Sequence, residues 1–136
     1  MSAASKTAVV RQLCPLLSVQ DIDRSVEFYR DRLGFTLTGK ADSEGRMFWC
    51  KLERGGSSIM LQTAEEEDGP SEGRGRGVCF YFICDDAGAV YEEFSSRGLV
   101  LAPPTVAYYG MKQLFVPEPD GYSLCFESPE PQRSVP

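Results

Sequence analysis

The chain has 136 residues, a formal net charge of −6 and no histidine. Its length fits one domain, or two half-domains that share an interface, and its acidic balance argues against nucleic acid as a partner, since phosphate binding needs clustered Lys and Arg. No apolar run nears the ~20 residues of a membrane span, and the opening MSAASKTAVVRQ lacks the apolar core of a secretory signal, so a cytoplasmic protein without membrane contact is expected.

The first predicted strand covers Gln12 to Val19. Pro15 lies inside it, and a residue without an N–H belongs at an edge, at a bulge or in a strand that leaves its own module. Asp21 or Asp23 then caps a helix running to about Leu33. Ile22, Val26, Tyr29 and Leu33 give it one apolar face. Gly34 supplies the left-handed stop. Strands follow at Phe35 to Lys40, Met47 to Leu52 and Ser57 to Gln62, the last two joined by Gly55-Gly56.

Residues 64–76 read as a linker, acidic at Glu65 to Asp68 and Gly/Arg-rich at Gly73 to Gly77. A solvated connector is the plain reading of this stretch, and an anion site on its glycines and arginines is the sharper one. A strand at Val78 to Cys84 and a helix from about Asp86 to Arg97 follow, with Val90 and Phe94 inward and Gly98 as the stop. Strands at Thr105 to Tyr108, Met111 to Val116 and Tyr122 to Glu127 complete the second half. Pro117 to Gly121 forms a strong turn, and residues 129–136 are expected to be a frayed tail.

The order β-α-β-β-β therefore occurs twice. Asp21 matches Asp86 and Gly34 matches Gly98, a period of ~65 residues that suits a whole supersecondary unit. The expected class is α+β: one domain over 1–136, built of module 10–63 and module 77–128. A single module of this size would bury a marginal core. The five cysteines show no C-x-x-C spacing, and buried free thiols are expected.

Three sequence words carry a resemblance. Val19 to Phe35 reads V-x-D-I-x-x-S-V-x-F-Y-x-x-x-L-G-F, Tyr91 to Gly98 reads Y-E-E-F-x-x-x-G, and Tyr109 to Tyr122 reads Y-G-M-K-Q-L-F-V-x-E-P-D-G-Y. With the tandem repeat they resemble the vicinal oxygen chelate superfamily, which spans glyoxalases, bleomycin-resistance proteins and extradiol dioxygenases. The resemblance implies that the strands form an open curled mixed sheet around a cavity with the helices outside, and that the cavity holds four metal-ligand positions. Here they fall on Cys14, Met60 (or Gln62), Cys79 and Cys125. The His and Glu ligands that glyoxalase I and the iron dioxygenases use are absent from these positions, so neither a metal nor another cofactor is expected. Three thiolates with Met60 or Gln62 would suit only a soft ion, whereas Cys as a small apolar packing residue is the plain reading. No catalytic residue is assigned, since no histidine is available to activate a thiol.

Within the superfamily the chain resembles the bleomycin-resistance-like branch. Pro15 stands where that branch has a proline associated with exchange of the N-terminal arm between subunits, and Tyr109-Gly110 stands where it often has Trp-Gly. The resemblance implies a homodimer that binds a small molecule, cationic and aromatic in the bleomycin case, without chemistry. The candidate ligand-binding residues are Trp49, Tyr81, Tyr108 and Tyr109, with Met60 and Gln62. Trp49 should face opposite to Phe48 and Cys50, and Glu53 with the Glu65 to Asp68 run could attract a cation. Phe28, Tyr29, Phe80, Phe82, Phe94 and Phe126 are expected in the core. A glyoxalase-type lyase or isomerase with atypical ligands, and a scaffold dimer with a collapsed cavity, are the other readings.

Overall fold

The computed structural model describes residues 6–130, apart from the side chain of Ser71. In the first module, β1 (Leu16–Val19) is followed by α1 (Ile22–Glu27), a π turn (Phe28–Arg32), β2 (Thr36–Ser43), β3 (Arg46–Arg54) and β4 (Ser57–Thr63). The linker holds a 3₁₀ turn (Glu66–Asp68) and a short α2 (Ser71–Arg74). The second module consists of β5 (Cys79–Ile83), α3 (Ala87–Ser96), β6 (Thr105–Val106), β7 (Met111–Pro117) and β8 (Ser123–Pro129).

Each module forms a four-stranded mixed sheet, ordered β1-β4-β3-β2 and β5-β8-β7-β6. β1 runs parallel to β4 and β5 parallel to β8, while the other neighbours are antiparallel. The repeat extends to the register. Leu16 faces Met60 and Tyr81 faces Cys125, so residue 81 stands to 16 as 125 stands to 60.

The helices begin and end as their sequences dictate. The Asp21 side chain accepts from the Arg24 N–H at 3.1 Å, and Asp86 accepts from Gly88 at 2.9 Å and Ala89 at 3.2 Å. Gly34 (φ 74°) and Gly98 (φ 97°) take the left-handed conformation that ends each helix. Asp21 to Gly34 is one residue longer than Asp86 to Gly98. The π turn absorbs that residue, closing with Leu33 N–H on the Phe28 carbonyl at 3.1 Å. Tyr29 and Leu33 both stay fully buried as a result.

The helix-facing sides of the two sheets share one core. Leu17, Val19, Cys50, Leu52, Ile59 and Leu61 come from the first sheet, and Phe82, Leu114, Val116, Leu124 and Phe126 from the second. Phe35 meets Phe82 edge-on across the modules at 5.8 Å, Phe82 stacks on Phe126 at 4.6 Å, and Phe94 meets Phe126 at 5.0 Å. The six predicted core aromatics fall here, with Phe28 and Phe80 half-buried at its margin.

Several boundaries differ from expectation, β2 running on to Ser43 and β6 stopping at Val106 among them. β1 starts at Leu16 rather than Gln12. Pro15 has no N–H to give, and only its carbonyl joins the ladder, accepting from Met60 at 2.8 Å. β1 is an edge strand within its own module, and Pro15 stands just ahead of it. β8 runs on through Pro129, and Glu130 N–H reaches the Gly110 carbonyl at 2.9 Å, so the chain stays paired past the start of the predicted tail. The rest of that tail, 131–136, lies outside the described residues. Nor is the linker simply solvated. Arg74 is drawn inward, its side chain 6% exposed, with Nη1 3.5 Å from Asp120 of the β7–β8 turn.

Candidate functional site

Strand alternation puts a second set of side chains on the sheet faces turned away from the helices. On the first sheet these are Leu16, Ser18, Trp49, Lys51, Met60 and Gln62. Trp49 is half-buried beside the fully buried Cys50, and its ring lies over Gly39. Trp49 pairs with Gln62 across β3 and β4. Gln62 Nε2 donates to the Ser18 hydroxyl at 3.1 Å, which fixes the amide. Met60 is half-buried alongside.

On the second sheet the open face carries Cys79, Tyr81, Gln113, Phe115, Cys125 and Glu127. Tyr81 is 47% exposed, Phe115 50% and Tyr109 51%. Large aromatic area is thus left in water around a mostly buried acid, Glu127, which is 8% exposed. Glu127 Oε1 accepts from the Tyr109 hydroxyl at 3.2 Å and from Gln113 Nε2 at 3.1 Å, and Gln113 Nε2 also donates to the Tyr109 oxygen at 2.7 Å. Among the described residues no hydrogen bond engages Glu127 Oε2 and no cation pairs with this carboxylate. Desolvation, then the hydrogen bond to Glu127, pushes the Tyr109 phenol up to about 12, so it is a neutral donor at physiological pH. Tyr81 is also raised, by burial first and then by the Cys125, Cys79 and Glu127 charges beside it.

The predicted residues therefore fall into two sets. Trp49, Met60 and Gln62 share one open face, and Tyr81 and Tyr109 share the other. Tyr108 is fully exposed and touches the second set only through its edge-on contact with Tyr109 at 5.1 Å. Sequence reasoning missed Glu127, Gln113 and Phe115. The signal was available, because period-2 alternation from Cys125 places Glu127 on the same face. The acidic run Glu65 to Asp68 is tied up locally, with Asp68 accepting from the Glu65 N–H at 2.7 Å.

The four positions matching the family's metal ligands do not suit a metal. Cys14 is half-buried ahead of β1, Cys79 is exposed on β5 and Cys125 is buried on β8. Burial, then Cys79 and Glu127, push the Cys125 thiol up to about 12, far from a ready thiolate. Among the described residues no three His, Cys, Asp or Glu side chains converge within reach of one ion. The donor set is thus wrong for a hard metal.

The sequence matches the Glyoxalase/Bleomycin resistance protein/Dioxygenase superfamily over residues 10–126. The chain belongs to that superfamily. Among curated proteins none matches it. Several crystal structures share its fold. TnmS3, an antibiotic binding protein from Streptomyces sp. CB03234, superposes with a TM-score of 0.72 at 21% identity, covering 92% of this chain and 100% of that one. The bleomycin resistance determinant encoded on transposon Tn5 gives 0.71 at 22% identity, over 90% and 100%. TioX from Micromonospora sp. ML1 gives 0.64 at 21%, over 90% and 99%. At these identities the likeness is one of fold. Like the superfamily's fold at large, this member has two βαβββ modules with open sheet faces. No helix among its described residues is long and apolar enough to cross a membrane.

Proposed function

We propose that this superfamily member binds and sequesters a planar small molecule without making or breaking bonds in it. One observation carries the reading: three half-exposed aromatic rings, Tyr81, Tyr109 and Phe115, surround the buried carboxylate of Glu127 on an open sheet face. Flat apolar ligands gain from such rings through area and stacking. A carboxylate with a free oxygen adds a site for an N–H donor or a cationic nitrogen. The likeness to an antibiotic binding protein and to a bleomycin resistance determinant supports a binding role.

The ligand is held between the open face of the second sheet and the Trp49 face of a first sheet, and two copies of the chain complete the cleft. Support for pairing comes from the arm before β1, where Val9, Val10 and Leu13 are 80%, 90% and 85% exposed. So much apolar surface in one short arm is costly to leave in water.

Trp49, the sole tryptophan, reports on this directly. Titration with metal-free bleomycin and with a panel of planar antibiotics, followed by Trp49 fluorescence, is expected to give saturable quenching by at least one compound. Tyr109→Ala should weaken that binding about tenfold, the loss of one stacking ring. If no compound in the panel perturbs Trp49 or the melting temperature, the sequestering role falls.

A further inference from the structure

At one equivalent pair of positions the two modules carry side chains of very different size, and the smaller one borders a cavity. Met60 corresponds to Cys125 by register, so Ser57 corresponds to Tyr122. Ser57 opens β4 and Tyr122 immediately precedes β8, and period-2 alternation puts them in line with Ile59 and Leu61 and with Leu124 and Phe126 respectively. Tyr122 is 8% exposed and packs near Phe80 with ring centroids 6.4 Å apart. Its hydroxyl donates to the Ser18 carbonyl at 2.8 Å. β1 is an edge strand, and the Ser18 carbonyl points away from β4, because Val19 and Pro15 are the residues whose carbonyls enter the ladder.

In the other half of the repeat, Ser57 replaces this tyrosine and the space it would fill stays open. A cavity of ≈ 190 Å³ lies beside Ser57, walled by Phe35, Phe82, Val90 and Phe126 and reaching Ile83 and Cys84. A second, of ≈ 300 Å³, also borders Ser57 and is lined by Pro15, Phe80 and Tyr81. The counterpart of the Ser18 carbonyl is that of Ile83. β5 is also an edge strand, and Cys84 N–H, not Ile83, faces β8 by donating to Glu127 O at 2.9 Å. The Ile83 carbonyl therefore points out of the ladder as its counterpart does.

We propose that the seam beside Ser57 is a binding site for a small monocyclic phenol, its ring among Phe35, Phe82 and Phe126 and its hydroxyl on the Ile83 carbonyl. The occupant is read from the chain itself, since Tyr122 presents a phenol in the corresponding place. An apolar cavity of about 150 Å³ suffices to hold benzene in a protein interior. The Arg54 guanidinium at the rim is already taken by Glu93 and the Leu33 carbonyl, so the site offers no free cation and an anionic ligand gains nothing there. Its ring wall, Phe82, lies on the opposite face of β5 from Tyr81, while the larger space beside Ser57 is lined by Cys79 and Tyr81 and borders the proposed open-face cleft.

The test is a titration of ¹⁵N-labelled full-length protein with p-cresol. Saturable shifts are expected at the amides of Ser57, Ile83 and Val90. Toluene should bind about fivefold more weakly, having no hydroxyl for the carbonyl. Ser57→Tyr should abolish the shifts and raise the melting temperature, because the new ring fills the space. Val90→Trp, which blocks the cavity from α3, should also abolish them and guards against misfolding of the first variant. Shifts that survive both variants, or none up to the solubility limit of p-cresol, would overturn the site. Equal binding of toluene would remove the role of the Ile83 carbonyl. Seam amides that ignore p-cresol but shift on dilution through dimer dissociation would give the space to a second copy of the chain.

Discussion

Arg54 and Glu93 clasp the two modules together with two parallel hydrogen bonds, Nη1 to Oε2 at 2.8 Å and Nη2 to Oε1 at 2.7 Å. Arg54 also donates to the Leu33 carbonyl at 2.7 Å and lies over the Phe94 ring at 5.9 Å. Both side chains are about one-third exposed, so solvent weakens the charge component. The fork geometry and the carbonyl bond keep the clasp above an ordinary surface pair. Arg54→Ala should cost roughly 1–2 kcal/mol. A double-mutant cycle with Glu93→Gln in urea should return a coupling near 1 kcal/mol. Zero coupling would mean that Arg54 acts through Leu33 and Phe94 alone.

The equivalent strand end of the second module carries Glu118, which behaves in the opposite way. It is 5% exposed, and its Oε2 accepts from the Asp120 and Tyr122 N–H groups at 2.8 and 3.2 Å. Its Oε1 and the hydroxyl of Tyr29 are both buried without a hydrogen bond. Burial pushes the Glu118 carboxyl up to about 7, partly offset by those two N–H bonds, with Asp120 nearby raising it further. A carboxyl whose folded value is raised makes the folded state bind more protons than the unfolded one, so stability falls as pH rises between about 4.5 and 7. The loss attributable to this group should reach about 3 kcal/mol. Glu118→Gln should remove that slope and exceed the wild type in stability at pH 8, its amide donating to the Tyr29 oxygen. Melting curves at pH 5, 6, 7 and 8 measure it, and parallel profiles for both proteins would rule the assignment out.

The cysteines should separate by reactivity. Cys125 and Cys50 are fully buried, and desolvation pushes their thiols up to about 12 and about 11. At pH 8 a thiol at 12 is roughly one part in 10,000 thiolate, and the thiolate is the nucleophile. Cys79 is raised as well but is exposed. Iodoacetamide at pH 8 should label Cys79 while leaving Cys50 and Cys125 intact until denaturant is added, as read by peptide mass mapping. Prompt labelling of Cys125 in the native protein would contradict its burial.

What was legible in the sequence had a period or a repeat behind it. The 65-residue echo foretold two β-α-β-β-β modules, which build two separate four-stranded sheets, and alternation along β3 set Trp49 against Cys50. Asp21 and Gly34 marked a helix whose π turn could have been counted from its one extra residue. The contacts that were hidden pair residues far apart in the chain. Nothing near Arg74 announces its partner Asp120, 3.5 Å away in space. Glu118 reads as a turn residue, and only the packing of α1 against that turn makes it a buried acid. Glu127 shares a face with Cys125, two residues earlier, and its hydrogen bonds to Tyr109 and Gln113 are what mark it as a site residue.

Glu127 is also the residue whose removal should alter the candidate cleft most specifically. Its carboxylate is the shared acceptor for Tyr109 and Gln113, and desolvation together with the hydrogen bond to Glu127 pushes the Tyr109 phenol up to about 12. Glu127→Gln keeps the shape of the side chain and removes the charge. The Tyr109 phenol should then fall toward the ordinary tyrosine value near 10. Phenolate absorbance during alkaline titration follows this change, with Tyr109→Phe identifying which transition belongs to Tyr109. Any ligand held through a cationic nitrogen should lose about tenfold or more in affinity with Glu127→Gln, since charge-assisted hydrogen bonds contribute roughly twice as much as neutral ones. A ligand held by stacking alone should bind the variant as well as the wild type. An unchanged Tyr109 transition would show that Glu127 does not govern the phenol, and the carboxylate would then lose its place at the centre of the cleft.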